Sequence, residues 1–272
     1  RAGKSQIKIF DPAMRLSATK HLEFRSDLAT AIEQDQLRLV YQPVIDLKRH
    51  CVVGAEALLR WDHPTRGPVS PSEFLPIAER AGLIVPIGKW VVDHAISAAS
   101  GWLATGPQQL SINVSPAQIR SSDFVGQIRE SIARHGIDPH RITLEITETT
   151  FVDEIDSGSP SLAELRALGV LIALDDFGTG YCSLSYLQRF PVDVLKIDRQ
   201  FIGELDTDPH RATLAEMILQ LASGLDVVSV AEGIERCAQL EILRTLGCDL
   251  GQGFLLCEPL EASALERRFG VA

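Results

Sequence analysis

A chain of 272 residues can bury a sizeable core, as one large α/β domain or two small ones, and its 45% hydrophobic and 23% charged composition is that of a globular protein. The formal charge of −10 excludes a broad basic surface for polymeric nucleic acid, although a single nucleotide in a pocket fits it. The longest apolar runs, such as VLIAL before Asp175 and VVSVA from Val227, are strand-length, so no membrane contact is expected from these residues. The five cysteines (Cys51, Cys182, Cys237, Cys248, Cys257) are odd in number and form no C-x-x-C pair, which reads as free thiols rather than disulfides or zinc ligands. With no initiator Met and no signal-peptide pattern, the chain reads as a piece of a longer protein, with the cytoplasm as the default location.

In chain order, residues 1–20 carry a short β-like run that reads as a linker or the tail of an upstream domain, and 21–272 read as one barrel domain. An amphipathic helix is expected around Leu22 to Glu33. Eight β-type runs follow: LRLVYQPVI, VVGAEALLRW, LSIN, RITLEIT, VLIALD, VDVLKID, VVSVAE and DLGQGFL. Helix-length segments separate most of them, among them PSEFLPIAERAG, IGKWVVDHAISAASGWLA, SPAQIRSSDFVGQIRESIARHG and PSLAELRALG. This alternation predicts βαβ units and a TIM-like (β/α)8 barrel. One junction departs from it: the few residues between Ile45 and Val52 cannot hold a parallel crossover, so the first strand should be antiparallel.

In such barrels the chemistry gathers at the carboxyl ends of the strands. The residues that close the runs are Glu56, Asn113, Glu145, Asp175 with Asp176, Lys196, Glu232 and Gln252. Any one of them alone is explained as a helix cap or turn residue. Five carboxylates facing one Lys and one Asn are not, because one cation cannot offset them, and divalent cations are the economical answer. The all-oxygen donor set suits Mg2+ or Mn2+ and disfavours zinc, and the histidines read as structural or surface groups. The adjacent Asp175 and Asp176 could serve two metals about 3.5 to 4 Å apart, as in phosphodiester cleavage. Gly178 and Gly180 would give the following loop its backbone freedom, unless they make a plain β-turn. A strand-end Lys beside Mg2+ would also allow an enolase-type barrel enzyme; the doubled aspartate favours the phosphodiesterase.

The motifs YQPVIDL, EALLRWDHPTRGPVSPSEFLPIAERAGLI, INVS, LEITET, LDDFGTGYCSL, LKIDRQFI, VAEGIE and GQGF, in this order from Leu37 to Leu260, resemble those of the EAL domain. These are bacterial phosphodiesterases that open cyclic di-GMP to linear pGpG with a water activated by two metals. The resemblance implies a barrel with an antiparallel first strand and two Mg2+ or Mn2+ ions held by Glu56, Asn113, Glu145, Asp175, Asp176 and Glu232. It implies catalytic roles for Lys196, Glu232 and Glu56, with Glu232 a metal ligand or general base. It gives Gln42, Arg60 and Gln252 to the dinucleotide, Glu148 to anchoring the DFGTGY loop, and Glu235 to a supporting role. The alternative within the resemblance is a receptor that binds cyclic di-GMP without cutting it; such members lose metal ligands, and this sequence keeps them. Cys182 stands where the family usually has Ser, a weaker hydrogen-bonding group beside the loop. The start, GKSQIKIFDPAM, resembles a junction with an upstream GGDEF domain. YCSLSYLQRF has apolar character enough for a homodimer contact and equally for a packed core helix.

Overall fold

Only four residues separate Asp46 from Cys51, and the chain reverses across them. The turn is closed by the His50 N–H on the Asp46 carbonyl at 2.8 Å, while the Asp46 side chain accepts from the backbone N–H groups of Lys48 and Arg49. It joins β1 (Leu37–Asp46) to β2 (Cys51–His63) as the hairpin that the short connection predicts. The computed structural model describes residues 24–105, 108–178 and 184–269. The expected linker 1–20, Gly180 and Cys182 lie outside the described residues.

After β2 come β3 (Gly67–Val69), α2 (Pro71–Ala81), α3 (Ile84–Thr105), β4 (Gln109–Asn113), α4 (Pro116–Ile119) and α5 (Phe124–His135). An opening helix over residues 24–30 is α1. The chain continues through β5 (Ile142–Thr147), α6 (Glu148–Ser157), α7 (Ser161–Leu168), β6 (Leu171–Phe177), α8 (Leu184–Arg189), β7 (Val194–Ile197) and α9 (Arg199–Ile202). It ends with α10 (Pro209–Gly224), β8 (Val228–Ala231), α11 (Cys237–Thr245), β9 (Leu250–Gly251) and α12 (Ala262–Phe269).

Two compact units are distinguished. In the first, residues 24–38 and 60–87, β2 runs into a hairpin with β3 that pairs Trp61 with Val69 and His63 with Gly67. The Trp61 ring is fully buried between Phe24 and Phe74, with centroids at 4.8 and 5.6 Å, and its Nε1–H donates to Gln36 Oε1. His63 is buried and bonds Asp27 at 3.1 Å, which fits its reading as a structural group. The β3 strand is an addition to the expected runs, too short to announce itself in the sequence.

The second unit, the described residues of 39–59 and 88–269, carries the barrel. Strands β2, β4, β5, β6, β7, β8 and β9 run parallel in that spatial order. Antiparallel β1 pairs with both β9 and β2, closing eight strands into a ring, as expected. The central strands are covered on both faces, which is why β5 and β7 are buried almost without alternation. Inside, Val44, Ala173, Val194, Val230 and Leu250 pack together as an apolar layer. The eighth run is shorter than expected: β9 has two residues rather than the length of DLGQGFL. Its chain leaves the sheet because Gly253 lies against the backbone of Ile234, where an added Cβ would be 2.2 Å from the Ile234 N and O. The described part of YCSLSYLQRF, α8, buries Leu187 and sets the Tyr186 hydroxyl on Asp156 at 2.8 Å.

Candidate functional site

The strands deliver these polar residues to the barrel unit, although Glu56, expected to close its run, sits inside a longer strand. Glu56 lies in the middle of β2 opposite Ser111, and Asn113 closes β4 beside Glu145 of β5. Lys196 lies in β7 beside Val230, Glu232 follows the last residue of β8, and Gln252 follows β9. Gln42 comes from the reversed strand β1.

Asp175 and Asp176 reach the site through an irregularity. The β6–β7 register runs Leu174↔Leu195 and then Phe177↔Ile197, so β6 carries one residue more than its partner. Asp176 takes the left-handed conformation, φ 54°, that Asp tolerates better than most residues. In a regular strand the two side chains would point to opposite faces; here oxygens of Asp175, Asp176 and Glu232 all lie within 4.8 Å of one another.

Lys196 stands at the centre. Its Nζ is 2.5 Å from Glu145 Oε2, 2.6 Å from Glu232 Oε1 and 3.4 Å from both Glu56 Oε2 and Asp175 Oδ1. Burial alone would discharge it, but Glu145, Glu232, Glu56 and Asp175 outweigh burial and hold the ammonium protonated well beyond its ordinary range. The carboxylates divide in consequence. Burial and the Glu56 charge push Glu145 well above the usual carboxylate range. Burial lifts Glu232 to about 7, against the pull of Lys196. Asp176 rises to about 6 through burial, the Asp175 charge and a hydrogen bond with Asp198. Glu56 goes the other way: burial opposes its charge, but Lys196 and donors from Gln252 and Asn113 hold it below its ordinary value. Its Oε1 accepts from Asn113 Nδ2 at 2.6 Å and its Oε2 from Gln252 Nε2 at 2.9 Å.

One ammonium faces four carboxylates, and Asp175 Oδ1 is buried with no hydrogen bond from any of the described residues. A half-buried set of carboxylate oxygens suits a hard divalent cation, and the Asp175, Asp176 and Glu232 oxygens are close enough to share one. Of the other expected ligands, Glu56 and Asn113 are bonded to each other and Glu145 to Lys196.

The remaining expected residues are placed as follows. Buried Glu148, first residue of α6, accepts the Gly178 N–H on Oε2 at 3.2 Å. Glu235 is exposed in the turn before α11, where its backbone N–H donates to Gln239 Oε1. Arg60 is half-buried further along β2, in the first unit. Asp198 was not among the expected residues, because the strand-end reading stopped at Lys196. It sits just beyond β7, bonds Asp176 and caps α9 by accepting the Gln200 N–H at 2.8 Å. The signal for it was an acid two residues past Lys196.

A closed parallel barrel with one reversed strand and an acidic, lysine-centred rim defines the class, and the chain belongs to the EAL domain family, whose model matches residues 25–259. It is 42% identical over 265 residues to the bifunctional diguanylate cyclase/cyclic di-GMP phosphodiesterase MucR of Pseudomonas aeruginosa, covering 97% of this chain and 39% of that protein. It is 36% identical over 266 residues to the cyclic di-GMP phosphodiesterase NbdA of the same organism, covering 97% of this chain and 34% of NbdA. The chain thus spans about two fifths or less of the length of these relatives. Among solved structures, the PaMucR phosphodiesterase in complex with c-di-GMP superposes with a TM-score of 0.86 at 43% identity, covering 89% of this chain and 99% of that one. The EAL enzyme Bd1971 bound to cAMP and cyclic di-GMP gives 0.87 at 33% identity, covering 93% and 70%. Among the described residues no helix is long and apolar enough to cross a membrane.

Proposed function

We propose that this domain is a metal-dependent phosphodiesterase that hydrolyses one phosphodiester of cyclic di-GMP, giving linear pGpG. The observation that carries the reading is the convergence of Asp175, Asp176 and Glu232 beside a buried Lys196 whose single charge leaves the cluster acidic. The activities that the names of MucR and NbdA carry support it.

Asp175, Asp176 and Glu232, with Glu56, Asn113 and Glu145, would hold Mg2+ or Mn2+, two per site. Such ions lower the pKa of water and offset charge on phosphoryl oxygens. Lys196 is held in place by its carboxylates and presents a fixed positive charge to the scissile phosphate or the attacking water. Glu232, 2.6 Å from Lys196, would serve either as a metal ligand or as the general base that takes the proton the water loses, and the 3′ oxygen leaves with a proton from solvent. Gln42 and Gln252, which the resemblance gives to the dinucleotide, are buried and bonded to each other, and Glu148 accepts the Gly178 N–H. We place a GGDEF-type module before this domain, a reading supported by the two activities in the name of MucR.

Product analysis tests the reading. The purified domain should convert cyclic di-GMP to pGpG with Mg2+ or Mn2+, and not with chelator or in Glu56→Ala. Tight binding with no linear product under any metal would instead make it a receptor and overturn the proposal.

A further inference from the structure

The buried amides of Gln42 and Gln252 form a chain whose direction is fixed at both ends. Gln42 Nε2 donates to the Cys257 carbonyl at 3.3 Å, and Gln252 Nε2 donates to Gln42 Oε1 at 3.0 Å and to Glu56 Oε2 at 2.9 Å. A carbonyl at one end and an ionised carboxylate at the other accept only, so neither amide can turn over without setting oxygen against oxygen. Both hydrogens of the Gln252 amide nitrogen are therefore used within the protein, and its oxygen must face the opposite way.

That oxygen is buried and has no hydrogen-bond partner among the described residues, and Gln252 is only 4% exposed. An unpaired buried amide oxygen is costly, so a partner for it is expected. Gln252 lines a small cavity of about 30 Å3 inside the barrel, shared with Ser111, Thr143, Glu145 and Lys196. The volume holds one water, and the lining supplies the two to four polar partners such a water needs.

The geometry points to Gln252 as a positioning residue: together with Gln42 it forms a relay from the Cys257 carbonyl that fixes the Glu56 carboxylate, completed by one internal water bonded to the Gln252 amide oxygen. Glu56 has little freedom to rotate on its own account, because Asn113 holds its other oxygen. A loss of the Gln252 donor leaves Oε2 with Lys196 alone, at 3.4 Å. The inference rests on the proposed reading of Glu56 as a metal ligand. It assigns Gln252 a duty before any dinucleotide arrives.

The test is Mn2+ affinity without nucleotide, measured by calorimetry on wild type and Gln252→Leu, which keeps the volume and removes the donors. Loss of a group that orients a ligand typically weakens metal binding by roughly 10- to 100-fold, and that is the expected change. Cyclic di-GMP affinity in chelator should move far less, and kcat should fall more than KM rises. Should Gln252→Leu fail to fold, Gln42→Leu serves: the relay predicts weaker Mn2+ binding there too, although Gln42 does not touch Glu56. Unchanged Mn2+ affinity in a folded variant, with nucleotide affinity reduced, makes the amides substrate contacts only and overturns the relay. A crystal structure should find a water in the cavity within hydrogen-bonding distance of Gln252 Oε1; a cavity without one overturns that part. If Mn2+ affinity falls in a protein that hydrolyses nothing, the relay stands and the phosphodiesterase reading alone fails.

Discussion

Asp175 and Asp176 are adjacent in one strand, yet their carboxylates converge, because β6 holds one more residue than β7 and Asp176 adopts φ 54°. Burial and, after it, the neighbouring Asp175 charge lift Asp176 to about 6, so convergence adds to the cost of ionising it. Asp176→Asn keeps a side chain tolerant of the left-handed conformation and removes the charge. The expected outcome is a metal-free protein at least as stable as wild type in thermal melts at pH 7.5. Hydrolysis of cyclic di-GMP should fall by roughly 100-fold or more, the order typical of losing a group that acts directly in catalysis. An Asp176→Asn protein with wild-type turnover removes this carboxylate from the proposed ligand set.

The proton affinities predict an unusual pH dependence for the metal-free domain. Glu232 has its pKa raised from 4.5 to about 7 in the fold, so between those values the folded chain binds more protons than the unfolded one. Stability from this group is thus greatest below about pH 4.5 and declines as pH rises through 7, by an amount of order 3 kcal/mol. Asp176 adds a decline in the same direction below about pH 6. A bound divalent cation reverses the trend, since it favours the ionised forms. Melts from pH 5 to 8 in chelator should fall with pH, the gain from Mn2+ should widen, and Glu232→Gln should flatten the slope. A chelator series that rises across this window contradicts the assignment.

Lys196 is the charge that makes the cluster bearable without metal. Lys196→Met keeps the length and apolar stem and leaves Glu56, Glu145, Asp175 and Glu232 facing one another. Removing one partner of a buried ion pair typically costs about 3 to 5 kcal/mol. Denaturant melts of the metal-free variant at pH 7.5 should show a loss of that order, shrinking at pH 5.5 where the acids take up protons. Activity should be lost at both. An equal loss at the two pH values would point to packing rather than charge.

The sequence carried the barrel well, because eight runs bounded by helix-length segments leave few other arrangements, and the short Ile45 to Val52 connection settled the direction of β1. It carried the strand-end residues for the same reason. What it hid were features set by backbone irregularity or by distant contacts. Strict alternation would send Asp175 and Asp176 to opposite faces, and only the extra residue in β6 brings them together. The DLGQGFL run looked like a full strand, but the contact of Gly253 with Ile234 ends β9 after Gly251. Asp198 stands in the sequence as an acid two residues past Lys196, but its link to Asp176 crosses between strands and shows only in the fold.

Gly178 couples the strand carrying both aspartates to α6. It has φ +95°, and a Cβ added there would lie 3.0 Å from Cε2 and Cζ of the Phe201 ring. Its N–H donates to Glu148 Oε2, which is itself buried at the start of α6. Gly178→Ala therefore meets both a backbone strain of about 1 to 2 kcal/mol and a crowded ring. The strained residue will shift, and the bond to Glu148 lies in its path. We expect the melting temperature to fall by several degrees and turnover to fall roughly 10-fold or more, with the larger share in kcat. Glu148→Gln is the milder partner experiment, since its amide oxygen can still accept the Gly178 N–H while the charge is gone. It should keep most of the activity that Gly178→Ala loses, whereas Glu148→Ala should resemble Gly178→Ala. If Glu148→Gln is as damaged as Glu148→Ala, the charge of Glu148 rather than its hold on Gly178 is what the site requires.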